Sequence, residues 1–268
     1  MNICVFDTET ITASSPFCYN LGYTIVNVES RKIVKRVDLL IDEVFCNEML
    51  FELAFFKEKK DLYIQRANSG KIRRTSFEYA LKYVEDDFNS YKVKYAFAYN
   101  CTFDKRVMAY NCKWFAIPNI FEKVTILDIW GLASEFVTST EKYQQWAEAH
   151  NHFTENGNIS ASAENVWQFL NNSDKVEEHT ALADSEMETD ILLKILEVNP
   201  NIDLFKPRKP IKIIAPSHLH QLQVMINKEY VMTFNYSSKI EKDGKIYFTF
   251  PEGKVPPFFY QNGGNENF

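Results

Sequence analysis

The feature that most constrains this chain is an apolar run near its start that ends in two carboxylates. Asn2-Ile3-Cys4-Val5-Phe6 leads directly into Asp7-Thr8-Glu9-Thr10. β-Branched and aromatic residues without a helical period predict a buried β-strand. Side chains at positions i and i+2 of a strand project from one face, so Asp7 and Glu9 would lie a few ångströms apart at its end. Two such carboxylates repel each other, and a divalent cation between them would relieve the repulsion.

A solvated strand end is the alternative interpretation of this pair. An Asp-x-Glu pair occurs about once by chance in a chain of 268 residues. The metal hypothesis therefore needs partner residues elsewhere in the sequence.

Composition limits the classes of protein to consider. With 46% hydrophobic and 15% aromatic residues, the chain can bury one large core. Five cysteines without a Cys-x-x-Cys pair predict buried thiols rather than disulfides or a zinc site. We find neither a signal peptide nor an apolar run of about 20 residues, so we expect a cytoplasmic protein without a membrane partner. The net charge of −6 argues against broad binding of double-stranded nucleic acid. It is compatible with a metal-lined site that accepts the end of a single nucleic-acid strand.

Periodicity predicts alternating strands and helices over the first half of the chain. The residue pattern predicts two strands, over 21–28 and 33–41, joined by a turn. Together with the first strand they would start an antiparallel sheet. Helical spacing predicts helices over 43–60 and 76–89, and the polar, basic stretch 64–74 predicts a loop. Strands over 95–99 and 124–129, linked through a helix, predict a βαβ unit.

The second group of polar residues follows the strand 95–99. It reads Asn100-Cys101-Thr102-Phe103-Asp104, and Thr102 is a predicted N-cap that would put Asp104 in the first turn of a helix. An acid there is stabilised by the helix dipole whatever its function, so Asp104 alone decides nothing.

The third group lies on a predicted helix near residue 190. Asp184 shares a helical stripe with Met187, Ile191 and Ile195, which places a carboxylate on the buried side. Burying an ionised acid costs several kcal/mol unless it is paired or bound to a metal. His179 precedes Asp184 by five residues, a spacing that about a third of chains with five histidines contain by chance.

In this order, the three groups resemble the motifs of the DEDDh family of 3′→5′ exonucleases. The flanking residues match as well, namely Phe6 through Thr10, Asn100 through Asp104 and His179 through Asp184. The resemblance implies an α/β protein with a ribonuclease H-like central mixed sheet flanked by helices over residues 1–198. Residues 199–268 would form a small α+β extension, with a helix over 217–227 and a hairpin that turns at Asp243-Gly244.

The resemblance also implies an activity, which is hydrolysis of phosphodiester bonds at 3′ ends with release of nucleoside 5′-monophosphates. Two Mg²⁺ ions, for which Mn²⁺ can substitute, would be held by Asp7, Glu9, Asp104 and Asp184, with His179 as the general base. Asp7 would bridge both ions, Glu9 and Asp184 would complete the site that holds the nucleophilic water, and Asp104 would support the second ion through water. The implied substrate-binding residues are Thr8, Thr10, Asn100 and Phe103.

One departure from the family bears on the substrate. Ile11 and Thr12 replace the Thr/Ser-Gly pair that usually follows the first motif, where glycine lets the backbone approach the terminal nucleotide. Catalysis should survive this change, whereas the fit of the terminal sugar depends on it. We expect single-stranded or frayed 3′ ends as partners, DNA in preference to RNA, and a replication or repair protein as a further partner.

The alternative function is a catalytically inactive module of the same fold that binds nucleic-acid ends or a polymerase. The presence of all four acids and the histidine favours the enzyme. An inactive copy has no physical reason to keep a cluster of mutually repelling carboxylates.

Overall fold

A computed structural model describes residues 1–215 in full and, beyond them, the backbone of four further strands. Its largest sheet is six-stranded and mixed, with the order β4-β3-β2-β1-β5-β6. The strands are β1 (Asn2–Thr10), β2 (Cys18–Asn27), β3 (Lys32–Ile41), β4 (Arg73–Thr75), β5 (Tyr95–Ala98) and β6 (Thr125–Asp128). β1, β2 and β3 are antiparallel neighbours, whereas β4 pairs in parallel with β3, β5 with β1, and β6 with β5. The strands predicted at 21–28, 33–41, 95–99 and 124–129 are therefore confirmed.

Helices flank this sheet. They are α1 (Asp42–Phe45), α2 (Glu48–Phe51), α3 (Lys60–Asn68), α4 (Phe77–Tyr91), α5 (Cys101–Trp114), α6 (Ile129–Ala133), α8 (Ala163–Asn171) and α9 (Ala181–Val198). A further helix, α7 (Glu141–Ala149), belongs to a separate compact unit. α4 confirms the helix predicted over 76–89, and the side chain of Ser76 caps it by accepting from Tyr79 N.

Two predictions between β3 and α4 were wrong. The expected single helix over 43–60 is divided into α1, α2 and a 3₁₀ turn at Lys57–Lys59, because extended Asn47 ends one helix and caps the next through Leu50 N. The expected loop over 64–74 is largely α3, which ends before Gly70 at a φ of 73°, followed by β4.

The apolar residues form clusters on the sheet. One cluster unites Phe6 and Leu21 of the sheet with Val84 of α4 and Met108 of α5. Another unites Tyr19 and Leu40 with the segment from α1 to α3. Asp7 and Glu9 lie near the carboxyl end of β1.

The chain divides into two compact units, of which the first comprises Met1–Ser139 and Ala161–Ile211. The second comprises Thr140–Ser160 and the described residues from Lys212 onward. The candidate site described below belongs entirely to the first unit. The predicted domain boundary after residue 198 stays a prediction.

The second unit contains α7 and two strand pairs. β7 (His220–Ile226) pairs antiparallel with β8 (Tyr230–Tyr236), and β9 (Ser238–Lys242) with β10 (Lys245–Thr249). The helix predicted over 217–227 was therefore wrong, because Leu222, Val224 and Ile226 alternate with polar or flexible residues at the period of a strand. The predicted hairpin is confirmed by the pairing of Lys242 with Lys245, while its Asp243-Gly244 turn lies outside the described residues.

Within the part of the chain that the structure describes, no helix has both the length and the apolar character needed to cross a bilayer.

Candidate active site

The acidic site begins where β1 meets α9. Asp7 pairs with Gly22 of β2, and a Cβ built on that glycine would lie 2.0 Å from Leu182 N of α9. The missing side chain therefore lets the first turn of α9 lie directly on the sheet. This approach brings Asp184 to Asp7 and Glu9, and one carboxylate oxygen from each of the three lies within 4.8 Å of the others.

A buried amide fixes the start of α9 against the sheet. Asn20, which pairs with Glu9, accepts a hydrogen bond from Ala181 N at 2.9 Å. Asn20 is itself held by Tyr63, whose hydroxyl donates to Asn20 Oδ1 at 3.1 Å, and by Asp38, which accepts from Asn20 Nδ2 at 2.7 Å. The position of Asp184 thus depends on contacts with residues far from it in sequence.

Asp104 reaches the same place from the first turn of α5. The predicted cap Thr102 lies inside this helix, whose N-cap is Asn100 in the left-handed conformation at a φ of 60°. Asn100 N donates to Asp128 Oδ1 at 3.0 Å, which holds the turn between β5 and α5. The hydroxyl of Thr8 donates to Asp104 Oδ1 at 2.7 Å and ties this acid to β1.

Of the predicted substrate-binding residues, Asn100 lies at the surface and Phe103 is half-buried beside the core. Thr8 and Thr10 are buried, Thr8 against Asp104. The Thr10 hydroxyl has no hydrogen-bond partner among the described residues. Thr8 is therefore placed to orient an acid.

His179 precedes α9 in a left-handed backbone conformation with a φ of 51°. Its backbone N donates to Asp184 Oδ1 at 3.2 Å, and its Nδ1 lies 3.7 Å from Glu177 Oε2. Burial lowers the pKa of this imidazole, and the positive charge of Lys59 lowers it further. The ring is thus biased toward the neutral form that can accept a proton.

Burial and mutual repulsion shape the titration of the acids. Asp104 is 2% exposed and Asp184 is 4% exposed. Burial raises the pKa of Asp104 to about 7 and that of Asp184 to about 9, where the charges of Glu177 and Glu9 add to the effect. Burial also raises the pKa of Glu9 to about 7, against the attraction of Lys59. The pKa of Asp7 is raised well above its ordinary value by burial and then by Asp104.

The fold matches solved nucleases, although no protein-family model and no curated protein matches the sequence. One similar structure shows 3′-end specific recognition of a histone mRNA stem-loop by a 3′-exonuclease, with 9% identity, coverage of 95% of this chain and 92% of that one, and a TM-score of 0.51. Another is a full-length 3′-exonuclease, with 11% identity, coverage of 80% and 96%, and a TM-score of 0.53.

The chain has the fold of the 3′-exonucleases. The α/β architecture expected from the DEDDh resemblance is thereby confirmed. Because the identities are so low, the similarity shows the fold alone.

The 3′-exonuclease fold here carries a donor set suited to divalent cations. Carboxylate oxygens are the ligands that Mg²⁺ and Mn²⁺ prefer. Three buried carboxylates and the half-buried Asp7 repel one another, and they are stable in ionised form only with positive charge among them. The residues present therefore fit metal ions: Asp7, Glu9 and Asp184 converge on one position, and Asp104 is tied to the same strand.

Sequence reasoning missed a further buried acid beside this site. Glu188 lies one helical turn after Asp184, is 3% exposed, and accepts a hydrogen bond from Tyr99 N at 3.1 Å. Burial and the charge of Asp104 raise its pKa well above the ordinary value. The spacing of four residues from Asp184 was a signal that could have identified it. Glu188 thereby links α9 to the end of β5, just before the turn that leads to Asp104.

Two further residues whose role the sequence did not indicate, Phe56 and Lys59, lie before α3 and contact the histidine segment. Phe56 stacks on the His179 ring, and Lys59 Nζ donates to the carbonyl oxygens of Glu178 and His179. Arg66 of α3 binds Glu178 and Thr180 in the same segment. The region predicted as an amphipathic helix and a loop thus supports the candidate base.

Proposed function

We propose that the protein is a metal-dependent 3′→5′ exonuclease that hydrolyses phosphodiester bonds at the 3′ end of single-stranded or frayed nucleic acid. The observation that carries this proposal is the convergence of Asp7, Glu9 and Asp184, whose oxygens lie within 4.8 Å of one another, beside a histidine whose backbone binds Asp184. The products would be nucleoside 5′-monophosphates.

Two Mg²⁺ ions, for which Mn²⁺ can substitute, would supply an activated water and stabilise negative charge on the attacking and leaving oxygens. Asp7 would help to hold both ions, Glu9 and Asp184 would hold one of them, and Asp104 would hold the other. Thr8 keeps Asp104 in place by its hydrogen bond.

The chain's own base completes the reaction. His179 would take a proton from the attacking water while the oxygen of that water bonds to phosphorus. At the same time, the bond between phosphorus and the 3′ oxygen of the penultimate nucleotide would break. That oxygen takes a proton from solvent, and His179 later releases its proton to solvent. The lowered pKa of the imidazole supports this role, because the ring must be neutral to act as a base.

Single-stranded DNA is the proposed substrate, although one solved 3′-exonuclease of this fold recognises the 3′ end of an mRNA stem-loop. Ile11, which stands near the usual glycine position, is 2% exposed and packs in the apolar cluster that contains Tyr19. Its side chain is therefore directed into the core and not toward solvent. A replication or repair partner and a cytoplasmic location stay predictions.

Digestion of 3′-labelled and 5′-labelled DNA and RNA oligonucleotides tests the proposal. We expect stepwise shortening from the 3′ end that EDTA stops, that Mg²⁺ or Mn²⁺ restores, and that Ca²⁺ does not support. Asp7→Asn should be inactive, while Glu122→Gln, a substitution of an exposed acid on a 3₁₀ turn, should retain activity. Cleavage that persists in EDTA would overturn the metal mechanism, and binding of 3′ ends without cleavage would favour the inactive module.

A further inference from the structure

A groove at the edge of the sheet combines cations with aromatic rings. β4 is the edge strand and contributes Arg73 and Arg74. The facing helix α4 contributes Tyr79, Lys82, Tyr83 and Asp86, which share one helix face because they are spaced by three or four residues. The cavity between strand and helix has a volume of about 290 Å³. We call it the edge groove.

The edge groove holds positive charge that the described part of the chain leaves uncompensated. Neither Arg73 nor Lys82 makes an ion pair with a carboxylate among the described residues, whereas Arg74 Nε binds Asp42 Oδ1 at 2.8 Å. Asp86 is the acid in the lining. The surrounding sequence is basic although the chain carries a net charge of −6. Between positions 57 and 74 the acids are Glu58 and Asp61, and the bases are Lys57, Lys59, Lys60, Arg66, Lys71, Arg73 and Arg74.

The aromatic residues of the edge groove are placed for stacking. Tyr79 is 67% exposed, an unusual position for a large ring. Tyr83 is half-buried, and the guanidinium carbon of Arg73 lies 5.1 Å from its ring centroid. Exposed aromatic rings beside cations are the arrangement by which proteins bind single-stranded nucleic acid without sequence preference.

The register of the sheet relates the edge groove to the acidic site. Arg74 pairs with Leu40, Leu40 with Asn20, and Asn20 with Glu9, so Arg74 and Glu9 lie in one row. Three strand spacings separate them by about 14 Å. β4 runs in the same direction as β1, so both sites lie toward the carboxyl ends of these strands, although Arg73 projects from the opposite face to Arg74 and Glu9, beside Tyr83 of α4. A nucleic-acid strand between the two sites would pass around that end of the sheet, so it spans at least this distance, which is about four nucleotides at about 3.4 Å per stacked nucleotide.

We propose that the edge groove binds the single strand on the 5′ side of the terminal nucleotides, with phosphates at Arg73 and Lys82 and a base against Tyr79. The inference rests on the proposed function for its substrate, but it concerns binding and not cleavage. The proposal predicts that affinity depends on the length of the nucleic-acid strand, because a strand shorter than about four nucleotides cannot reach from the acidic site to the groove.

Fluorescence anisotropy in EDTA, with a labelled thymidine trinucleotide and dodecanucleotide, tests this without turnover. Arg73→Gln and Tyr79→Ala should each weaken binding of the dodecanucleotide about tenfold and leave the trinucleotide unchanged. Tyr79→Phe should bind like the wild type, because the stacking ring remains. Lys32→Gln, at the opposite end of β3, is the control for loss of an exposed charge. Arg73→Gln should also reduce the slope of log Kd against log salt concentration by roughly the amount expected for one phosphate contact.

The outcomes separate the edge groove from the nuclease. The protein could bind the longer strand more tightly, through Arg73 and Tyr79, and yet cleave nothing. This result would support the groove and contradict the proposed exonuclease activity. Three results in an active enzyme would overturn the proposed role of the groove. The two substitutions could change the affinity for the trinucleotide and the dodecanucleotide equally, they could change neither affinity, or the dodecanucleotide could fail to bind. With a p-nitrophenyl ester of thymidine 5′-monophosphate as substrate, both variants should keep the wild-type kcat, since the ester is too short to reach it.

Discussion

The imidazole ring of His179 lies flat against the phenyl ring of Phe56, with centroids 4.4 Å apart and planes 9° from parallel. Lys59 lies over the same phenyl ring at 4.7 Å and donates a hydrogen bond to the carbonyl oxygen of His179 at 3.3 Å. The segment between α2 and α3 thus fixes both the ring and the backbone of the candidate base. We infer that Phe56 is a positioning residue.

Replacing Phe56 with Ala removes the surface on which the imidazole rests. We expect kcat to fall about 10- to 100-fold with little change in KM, because a displaced base affects proton transfer rather than binding. Phe56→Tyr keeps the ring and should stay close to the wild type. Single-turnover and steady-state kinetics on a single-stranded oligonucleotide provide the measurement, and a change confined to KM would assign Phe56 to substrate binding.

Removal of the base itself should have a larger effect. His179→Ala should lower the single-turnover rate by about 10²–10⁴ at saturating Mg²⁺. In the wild type the rate should fall at acidic pH as the imidazole becomes protonated. Burial and Lys59 lower the pKa of His179, so this limb should lie below the ordinary value of 6.5. If the variant keeps both the rate and the acidic limb, the base is another group.

Asp7→Asn should abolish cleavage and stabilise the metal-free fold. The amide keeps the shape of the side chain but removes a charge that Asp104, Glu188 and the other acids repel. We expect the free energy of unfolding in EDTA at alkaline pH to rise by on the order of 1 kcal/mol. Urea denaturation checks this, with Glu122→Gln as the control. A variant less stable than the wild type in EDTA would contradict the repulsion argument.

The stability of the metal-free protein should decrease as pH rises. Burial raises the pKa of Asp184 from 3.8 to about 9 and that of Glu9 from 4.5 to about 7. Between these values the folded state holds more protons than the unfolded state, so the free energy of unfolding falls as pH increases from about 4 to about 9.

Mg²⁺ should reverse much of this loss, since it binds the folded state and competes with protons for the same oxygens. Thermal unfolding at about pH 5 and about pH 8, in EDTA and in Mg²⁺, tests both expectations. A metal effect that is no larger at the higher pH would count against a cation site among these acids.

Gly22→Ala should separate α9 from the sheet. The added Cβ would lie 2.0 Å from Leu182 N, so the backbone of α9 must move and Asp184 with it. We expect a loss of stability of about 1–3 kcal/mol together with weaker stabilisation by Mg²⁺. Val34→Ala, at an exposed position of β3, is the matched control. Unchanged stabilisation by Mg²⁺ in a folded Gly22→Ala protein would show that Asp184 is dispensable for the ion.

Local patterns in the sequence determined the parts of the fold whose residues lie close together in the chain. Alternation of side chains placed Asp7 and Glu9 on one face of β1, and the helical stripe through Met187 and Ile191 put Asp184 on the buried side of α9. These periods are properties of the backbone, so they can be recognised without knowledge of the tertiary structure.

The tertiary structure alone decided which distant residues support those acids. Asn20 holds the start of α9, Thr8 holds Asp104, and Phe56 holds the ring of His179. Each partner is separated from its target by more than 90 residues. Such contacts form only when the packing of sheet and helices brings the segments together, and no local period encodes them.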